Sequence, residues 1–158
     1  MMISSTVRRV PEHTSKKNNE RIQREIERNI AYYSAHPERI PERLKELDEE
    51  WDIERILEAQ SSTFVVLGTV LGATVNRKFF IIPAIVGSFL LQHAIQGWCP
   101  PVPIWRRLGV RTQSEIESER YALKAIRGDF EGIGPAASIQ ADNEGMNRLL
   151  ETLKGRCQ

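Results

Sequence analysis

The chain has 158 residues, with 22 Lys and Arg against 21 Asp and Glu, and it is 41% hydrophobic but only 7% aromatic. This length suits one domain, or a small core with polar arms, and argues against a multidomain enzyme. A net charge of +1 argues against a protein that coats nucleic acid, so no nucleic-acid partner is predicted. Cys99 and Cys157 are too few and too far apart for a disulfide scaffold, a zinc ribbon or a CxxC redox pair.

Residues 1–58 are predicted to form a polar helical N-terminal arm, with 11 basic and 13 acidic side chains. Its apolar residues recur at helical spacing in two runs, which are Ile22, Ile26 and Ile30, then Leu44, Leu47 and Trp51. The first run predicts a helix over 18–33, which Pro37 would end. The second predicts a helix over 41–58 that begins at Pro41 and runs directly into the apolar segment that follows.

Residues 59–98 contain two charged side chains, Arg77 and Lys78, and no acid. Uncharged stretches lie on either side of this pair, at 59–76 and 79–98. A helix the length of the second stretch would be about 30 Å long, which matches the hydrocarbon core of a bilayer. We therefore predict an all-α fold built around a two-helix transmembrane hairpin over 59–98, with its turn at the two cations.

An alternative is a soluble helical bundle in which amphipathic arms bury the central hairpin. Gln92, His93 and Gln96 in the second apolar stretch keep this alternative open. Against it, the arms offer few large apolar residues to cover two helices that are apolar on nearly every face. The first ten residues have no apolar region typical of a cleaved signal peptide, so the hairpin itself would direct insertion.

The distribution of Lys and Arg near the helix ends predicts an orientation. Six lie on the side of the termini, namely Arg43, Lys45, Arg55, Arg106, Arg107 and Arg111, against two in the turn. By the positive-inside rule both termini are cytoplasmic. Trp98 and Trp105, with Arg106 and Arg107, are predicted to anchor the protein at the cytoplasmic membrane interface.

Residues 99–131 are predicted to form a Pro-rich exit from the membrane and an amphipathic helix. Three prolines in residues 99–103 predict an extended chain there. Thr112-Gln113-Ser114-Glu115 has the spacing of a capping box and predicts a helix over 113–127. Residues 132–158 are predicted to form a flexible linker and a weak C-terminal helix.

Five short motifs carry a resemblance to a known family. They are Glu50-Trp51-Asp52-Ile53-Glu54-Arg55, Gly68-Thr69-Val70-Leu71-Gly72, Leu91-Gln92-His93-Ala94, Gly97-Trp98-Cys99-Pro100 and Arg107-Leu108-Gly109-Val110-Arg111-Thr112. Over about residues 50–130 the sequence resembles the YgaP-like inner-membrane domains, which are small bacterial two-helix membrane domains. The resemblance implies a bacterial inner-membrane location. Some members carry a rhodanese domain before the hairpin, for which residues 1–50 are too short. The family has no established catalytic activity, so the resemblance implies a fold and a place but no reaction.

Small residues in the predicted hairpin indicate close helix packing. The set comprises Gly68, Gly72, Thr69 and Ala73 in the first helix, and Ala84 and Ser88 in the second. Glycines at i and i+4 let another helix backbone approach closely. The sequence leaves open whether this packing lies within one hairpin or between protomers.

Three polar residues, Gln92, His93 and Gln96, are predicted to lie within the membrane near its cytoplasmic face. Gln92 and Gln96 share one helix face and can form hydrogen bonds between helices. A histidine at membrane depth also raises proton transfer or metal binding as the alternative. His13 and His36 are not spaced to complete a metal site with it, and none is predicted.

Cys99 is the only residue with a chemical option, as a persulfide or redox thiol. The simpler interpretation is an inert residue that packs at the membrane interface. Catalytic triads, phosphate loops and paired carboxylates are missing, so no enzyme activity, cofactor or small-molecule substrate is predicted. The preferred function is an oligomeric membrane protein or an accessory subunit that anchors a larger membrane complex, and the alternative is a membrane-bound thiol carrier.

Overall fold

The structure, a computed structural model, describes Ser5 and residues 7–130, and over these residues it is helical with no strand. The helices are α1 (Arg9–Glu12), α2 (Lys16–Ala35), α3 (Ile40–Glu49), α4 (Ile53–Thr74), α5 (Ile81–Gln96), α6 (Val102–Leu108) and α7 (Gln113–Arg127). Short 3₁₀ turns at Pro37–Arg39 and Arg77–Phe80 precede α3 and α5. The all-α prediction is confirmed for this part of the chain.

The chain divides into two units, Met1–Leu123 and Lys124–Gln158. Within the first unit we distinguish a polar head, which comprises residues 7–58 and 99–123, from an apolar helix pair, which comprises residues 59–98. Of the second unit only residues 124–130 are described, and there Arg127 Nε donates to Asp129 Oδ1 at 2.7 Å. The predicted linker and weak helix over 132–158 lie outside the described residues.

The polar head holds two small apolar clusters between its helices. One consists of Val10, Ile53, Leu57, Cys99 and Val102, and the other of Ile40, Leu44, Leu47, Ile116 and Leu123. Ile22 and Ile26, from the predicted amphipathic stripe of α2, are also buried. Four of the six residues in the two predicted runs therefore face the inside of the head. Ile30 is half-buried, and Trp51 is 48% exposed and lies between α3 and α4, so the prediction fails at the end of the second run.

The prediction of one helix over 41–58 that continues into the apolar segment is wrong. Helix α3 ends at Glu49, and Glu50 is extended with ψ of 131°. A new helix begins at Ile53, where the Asp52 carboxylate accepts a hydrogen bond from Arg55 N at 2.7 Å. An Asp at the N-cap satisfies one free amide and complements the helix dipole, which favours a break here.

The prediction of an extended chain over 99–103 is also wrong. After α5 the chain turns at Gly97, whose φ is +75°, and helix α6 begins at Val102. Pro101 and Pro103 lie at the N-cap and in the first turn, where a missing amide proton costs no helical hydrogen bond. Gly109, with φ of +97°, ends the helix.

The predicted capping box at the start of α7 is confirmed. Thr112 N donates to Glu115 Oε2 at 2.8 Å, and Glu115 N donates to Thr112 Oγ1 at 3.3 Å. The helix spans Gln113–Arg127, with the bounds that the sequence predicted. The spacing of Thr112 and Glu115 was sufficient to predict the start of this helix, because both partners of the cap lie within one helical turn.

Candidate functional site

The apolar helix pair leaves its large side chains uncovered. Between Phe64 and Ile95, twelve large apolar residues are 36% to 67% exposed. The segments Pro37–Thr74 and Arg77–Gln96 each contain a stretch long and apolar enough to cross a membrane, and only 17% and 6% of those stretches are buried. A core helix of a soluble protein would be mostly buried, whereas the described residues leave these two stretches largely uncovered.

Gly68 and Gly72 face the second helix of the same chain. A Cβ on Gly68 would lie 2.7 Å from Pro83 Cδ and 2.8 Å from Ile82 Cβ. A Cβ on Gly72 would lie 2.9 Å from the ring of Phe80. These separations are shorter than real side chains show, so a larger residue at Gly68 requires α5 to move, and one at Gly72 requires the Phe80 ring to move.

The remaining small residues of the predicted stripe do not take part in this packing. Thr69, Ala73, Ala84 and Ser88 are all exposed. Thr69 Oγ1 donates to Val65 O at 2.7 Å and Ser88 Oγ donates to Ala84 O at 2.8 Å, so both hydroxyls are satisfied within their own helices. Ala84 and Ser88, predicted to take part in close helix packing, therefore do not pack against the glycines within the chain, because Phe80, Ile82 and Pro83 occupy that place.

His93 is the buried polar residue at the end of the apolar pair. It is 6% exposed, and neither ring nitrogen has a hydrogen-bond partner among the described residues. Gln92 and Gln96 are half-buried. No interhelical hydrogen bond from either glutamine is seen within the described part of the chain, so the hydrogen-bonding role predicted for them is not realised there.

Arg9, which sequence reasoning missed, binds the end of α5. Its Nη1 donates to Ala94 O at 3.3 Å, and its Nη2 lies 3.6 Å from Glu54 Oε1. A Cβ on Gly97 would lie 2.6 Å from the Arg9 backbone, so Gly97 is required both by its φ and by this contact. The guanidinium partners a carbonyl that the helix end leaves free and lies at the negative end of the helix dipole. A cation at a helix end that is distant in sequence gives no local signal.

Cys99 lies inside the polar head and is 4% exposed. It packs in the cluster with Val10, Ile53, Leu57 and Val102. Burial raises the pKa of the thiol above its ordinary value, only partly offset by a backbone hydrogen bond at Val102. A thiolate is the reactive form, so this environment suppresses reactivity.

Of the predicted interface anchors, Arg106 is wrongly assigned. It is fully buried, and its Nη1 and Nη2 donate to Glu115 Oε2 and Oε1 at 2.6 and 2.8 Å. Asn19 Oδ1, Thr14 Oγ1 and Val110 O accept its three other N–H groups. Arg106 thus joins α2, α6 and α7, since a fork of five donors can hold several elements in one arrangement.

The other three anchors lie nearer the surface. Trp98 and Trp105 are half-buried and Arg107 is exposed. Trp105 Nε1 donates to Gln60 Oε1 at 3.2 Å. Gln60 lies at the start of the uncharged part of α4, so Trp105 is held level with the end of the apolar pair.

A second buried group of ions joins α2, α3 and α7 around Glu119. This carboxylate is fully buried and accepts hydrogen bonds from Arg111 Nη1, from Arg43 Nε at 2.9 Å and from Asn29 Nδ2 at 3.2 Å. Arg111 also donates twice to Glu50. Burial alone would raise the pKa of Glu119, but the hydrogen bonds from Arg43 and Arg111 lower it overall.

A cavity of about 240 Å³ opens between the N-terminal segment, α4 and the start of α7. It is lined by Val7, Arg9, Val10, Glu54, Thr112, Gln113, Ser114 and Glu117. Among the described residues no group of three or more His, Cys, Asp or Glu side chains is placed to hold a metal ion. The cavity lining contains the pair of Arg9 and Glu54, a second carboxylate at Glu117 and the hydroxyl groups of Thr112 and Ser114.

No family model, curated protein or solved structure matches this chain.

Proposed function

We propose that this protein is a small bacterial inner-membrane protein in which α4 and α5 cross the bilayer as a hairpin. The polar head lies in the cytoplasm and serves as an anchor or accessory subunit of a membrane complex, or as part of a homo-oligomer. The lipid bilayer is its principal partner, and it performs no chemistry of its own. The bacterial origin and inner-membrane location are proposed on the resemblance of about residues 50–130 to YgaP-like domains alone.

One observation carries the membrane assignment: the exposed apolar side chains of the uncharged pair. Lipid solvates such faces at no cost, whereas in water each would remain a large apolar patch. The hydroxyl groups of Thr63, Thr69, Thr74 and Ser88 donate to carbonyl groups one turn earlier, which suits a helix in a solvent without hydrogen-bond partners. Both features favour lipid over a soluble bundle.

The proposed orientation rests on the cations at the two ends of the pair. Arg43, Arg106 and Arg111, counted on the terminal side, are folded into ion pairs, whereas Arg107 is exposed. The positive-inside rule concerns insertion of the chain and is not a rule of net charge, so the asymmetry of six against two still favours cytoplasmic termini. The turn with Arg77 would then face the periplasm.

Association with other helices is supported by the outer face of α5. Ala84, Gly87 and Ser88 share this face and are exposed, and a Cβ on Gly87 would have no neighbour within 4 Å. Small residues at this spacing allow close approach of a further helix in lipid. We therefore assign the inner contact to Gly68 and Gly72, and the contact between protomers or with a larger partner to this outer face.

The thiol-carrier alternative receives no support from the surroundings of Cys99. A carrier thiol has to reach its donor and acceptor, and this one is buried among apolar side chains. A reactive cysteine also has a lowered pKa, whereas burial raises this one.

Alkaline extraction of bacterial membranes tests the proposed function. The unmodified protein should stay in the pellet, while Ile85→Asp combined with Phe89→Asp should move a large fraction to the supernatant. Both residues are exposed on α5, and an acid at a helix centre costs about 3 kcal/mol on insertion. The matched control is Ile126→Asp, an exposed apolar position of α7. Release of the unmodified protein, with the head still folded, would instead establish the soluble bundle.

A further inference from the structure

Helix α6 presents an apolar outer face that nothing in the polar head covers. Ile104 is 61% exposed and Leu108 is 69% exposed, and Arg107 between them is exposed as well. These three residues are related by three and four positions, so they share one face of the helix. Val102 and Arg106, on the opposite face, are fully buried. The burial pattern is thus that of an amphipathic helix. Its inner face is held by the ion pair between Arg106 and Glu115, and its outer face exposes apolar side chains.

The depth of α6 is fixed by its contacts with α4. Trp105 Nε1 donates to Gln60 Oε1 at 3.2 Å, and Val102 packs with Ile53 and Leu57. Position 60 lies just inside the uncharged part of α4, and Glu58 is the last acid before it. Helix α6 therefore lies level with the boundary at which charged residues give way to the apolar pair.

The charge of α6 also fits a lipid surface. The helix carries two arginines and no acid, and Glu115 already pairs with Arg106. The Arg107 side chain makes no ion pair within the described residues, while its backbone carbonyl accepts a hydrogen bond from Arg21. A long cationic side chain beside exposed Ile and Leu is suited to reach phosphate while its neighbours enter the acyl boundary.

We propose that α6 is an interfacial helix, which lies in the headgroup layer of the cytoplasmic leaflet with Ile104 and Leu108 in the acyl boundary and Arg107 at a lipid phosphate. This inference rests on the proposed membrane function and extends it. The ion pair between Arg106 and Glu115 holds the helix in place from the protein side. The head then contacts the membrane through α6 as well as through the transmembrane segments.

Collision accessibility of nitroxide labels tests the inference. Single cysteines at Ile104, Leu108, Gln113 and Ile85 are labelled in the full chain carrying Cys99→Ala and Cys157→Ser. The protein is reconstituted in vesicles of phosphatidylcholine and phosphatidylglycerol at a molar ratio of about 3:1, which supplies the negative surface that attracts basic residues. Oxygen, which concentrates in lipid, is compared with a water-soluble nickel chelate. Gln113 is the control in water and Ile85 the control in lipid, and both are exposed in the structure.

We expect the ratio of oxygen to nickel accessibility at positions 104 and 108 to lie several-fold above that at 113 and below that at 85. A ratio at 104 and 108 equal to that at 113, with 85 still in lipid, would overturn the inference and leave the membrane function intact. Low accessibility to both reagents at 104 and 108 would also overturn it, because protein rather than lipid would then cover the face. Nickel access at 85 would overturn the membrane function and this inference together.

Discussion

The polar head buries most of its aliphatic side chains, whereas the apolar helix pair exposes most of its large apolar ones. The head is rich in charge, yet it contains the buried apolar clusters of the described chain and buries ions such as Arg106 and Glu119 among them. The pair is almost free of charge, yet its buried residues are Gly68, Gly72, His93 and Gly97, and twelve of its large apolar residues are exposed. The difference teaches that the two regions bury opposite kinds of side chain, which is the pattern expected if the head folds in water and the pair lies, as proposed, in hydrocarbon.

The two regions are also held together by different interactions. In the head, small clusters of Ile and Leu are supplemented by ion pairs that connect helices far apart in sequence. In the pair, the two helices approach closely at Gly68 and Gly72, which is the kind of contact that holds helices together in lipid, the environment proposed for them. Substitutions that break one kind of contact should therefore leave the other region in place.

The largest effect is expected from Glu119→Gln. This change removes the buried negative charge that Arg43 and Arg111 share, although Arg43 keeps Glu46 and Arg111 keeps Glu50, and breaking a buried ion pair costs roughly 3–5 kcal/mol. The free energy of unfolding, measured by urea titration in mild detergent, should fall by an amount in this range. The control is Glu20→Gln, which removes an exposed pair with Lys16 and should cost under about 1 kcal/mol. Equal effects of the two changes would show that the buried group does not hold the head together.

A smaller loss is expected in the apolar pair from Gly68→Ala. The added methyl group would overlap Ile82 and Pro83, and overpacking of this kind costs about 1–3 kcal/mol. Gly87→Ala adds the same methyl group where no atom lies within 4 Å, so it should be neutral or stabilise the helix by up to about 1 kcal/mol. Thermal unfolding of the monomer in detergent should shift downward for Gly68→Ala and should stay unchanged or shift upward for Gly87→Ala. The monomer is used because Gly87 also lies on the outer face assigned to contacts with other helices. An equal loss for both variants of the monomer would contradict the assignment of the inner face.

The head alone should respond to acid. Burial would raise the pKa of Glu115 and of Glu119, but their arginine partners lower it below the ordinary value of 4.5. A lowered carboxylate pKa stabilises the fold above the unfolded value, so the head should lose stability as the pH falls below about 4.5. Amide exchange, corrected for intrinsic rates, should show lost protection in α7. Residues 59–98 contain no carboxylate and should keep their protection. Loss of amide protection in the head and in residues 59–98 at the same pH would show that the two regions do not unfold independently.

The smallest expected effect concerns Cys99. Because the thiol is buried and its pKa is raised, its alkylation by iodoacetamide in native membranes should be roughly tenfold slower than that of a cysteine at exposed Gln113. Mass spectrometry after timed treatment compares the two sites in one sample of the Gln113→Cys protein. Modification of Cys99 as fast as that of position 113, or a persulfide on it, would favour the thiol carrier.

The sequence predicted those features that depend on neighbours within a few turns. The helix over 113–127 and its capping box, the end of α2 before Pro37 and the two uncharged helices all follow from local spacing. Helix α6 was missed although Pro103 just inside its start and Gly109 just past its end form a recognised pair of boundary signals. Three prolines close together were interpreted as an extended chain, whereas a first helical turn tolerates them.

The buried polar contacts of the head could not be predicted, because their partners lie on different helices, in several cases helices that are distant in sequence. Arg43 meets Glu119, and Arg106 meets Asn19, only after the helices have packed. Nothing in the sequence distinguishes Arg106 from its neighbour Arg107, and only the structure shows that the first is buried and the second exposed. A helix of seven residues turns neighbouring side chains about 100° apart, so one faces the core and the other faces outward.

The central claim is that the apolar pair spans the bilayer and the head lies in the cytoplasm. Thiol labelling of intact and lysed bacterial spheroplasts tests it most directly. Single cysteines at Asn76, between the apolar helices, and at Gln113, in the head, are introduced into the chain carrying Cys99→Ala and Cys157→Ser. A maleimide that does not cross the membrane should label position 76 from outside spheroplasts and position 113 only after lysis. Labelling of both positions from the same side would contradict an apolar pair that spans the bilayer beneath a cytoplasmic head.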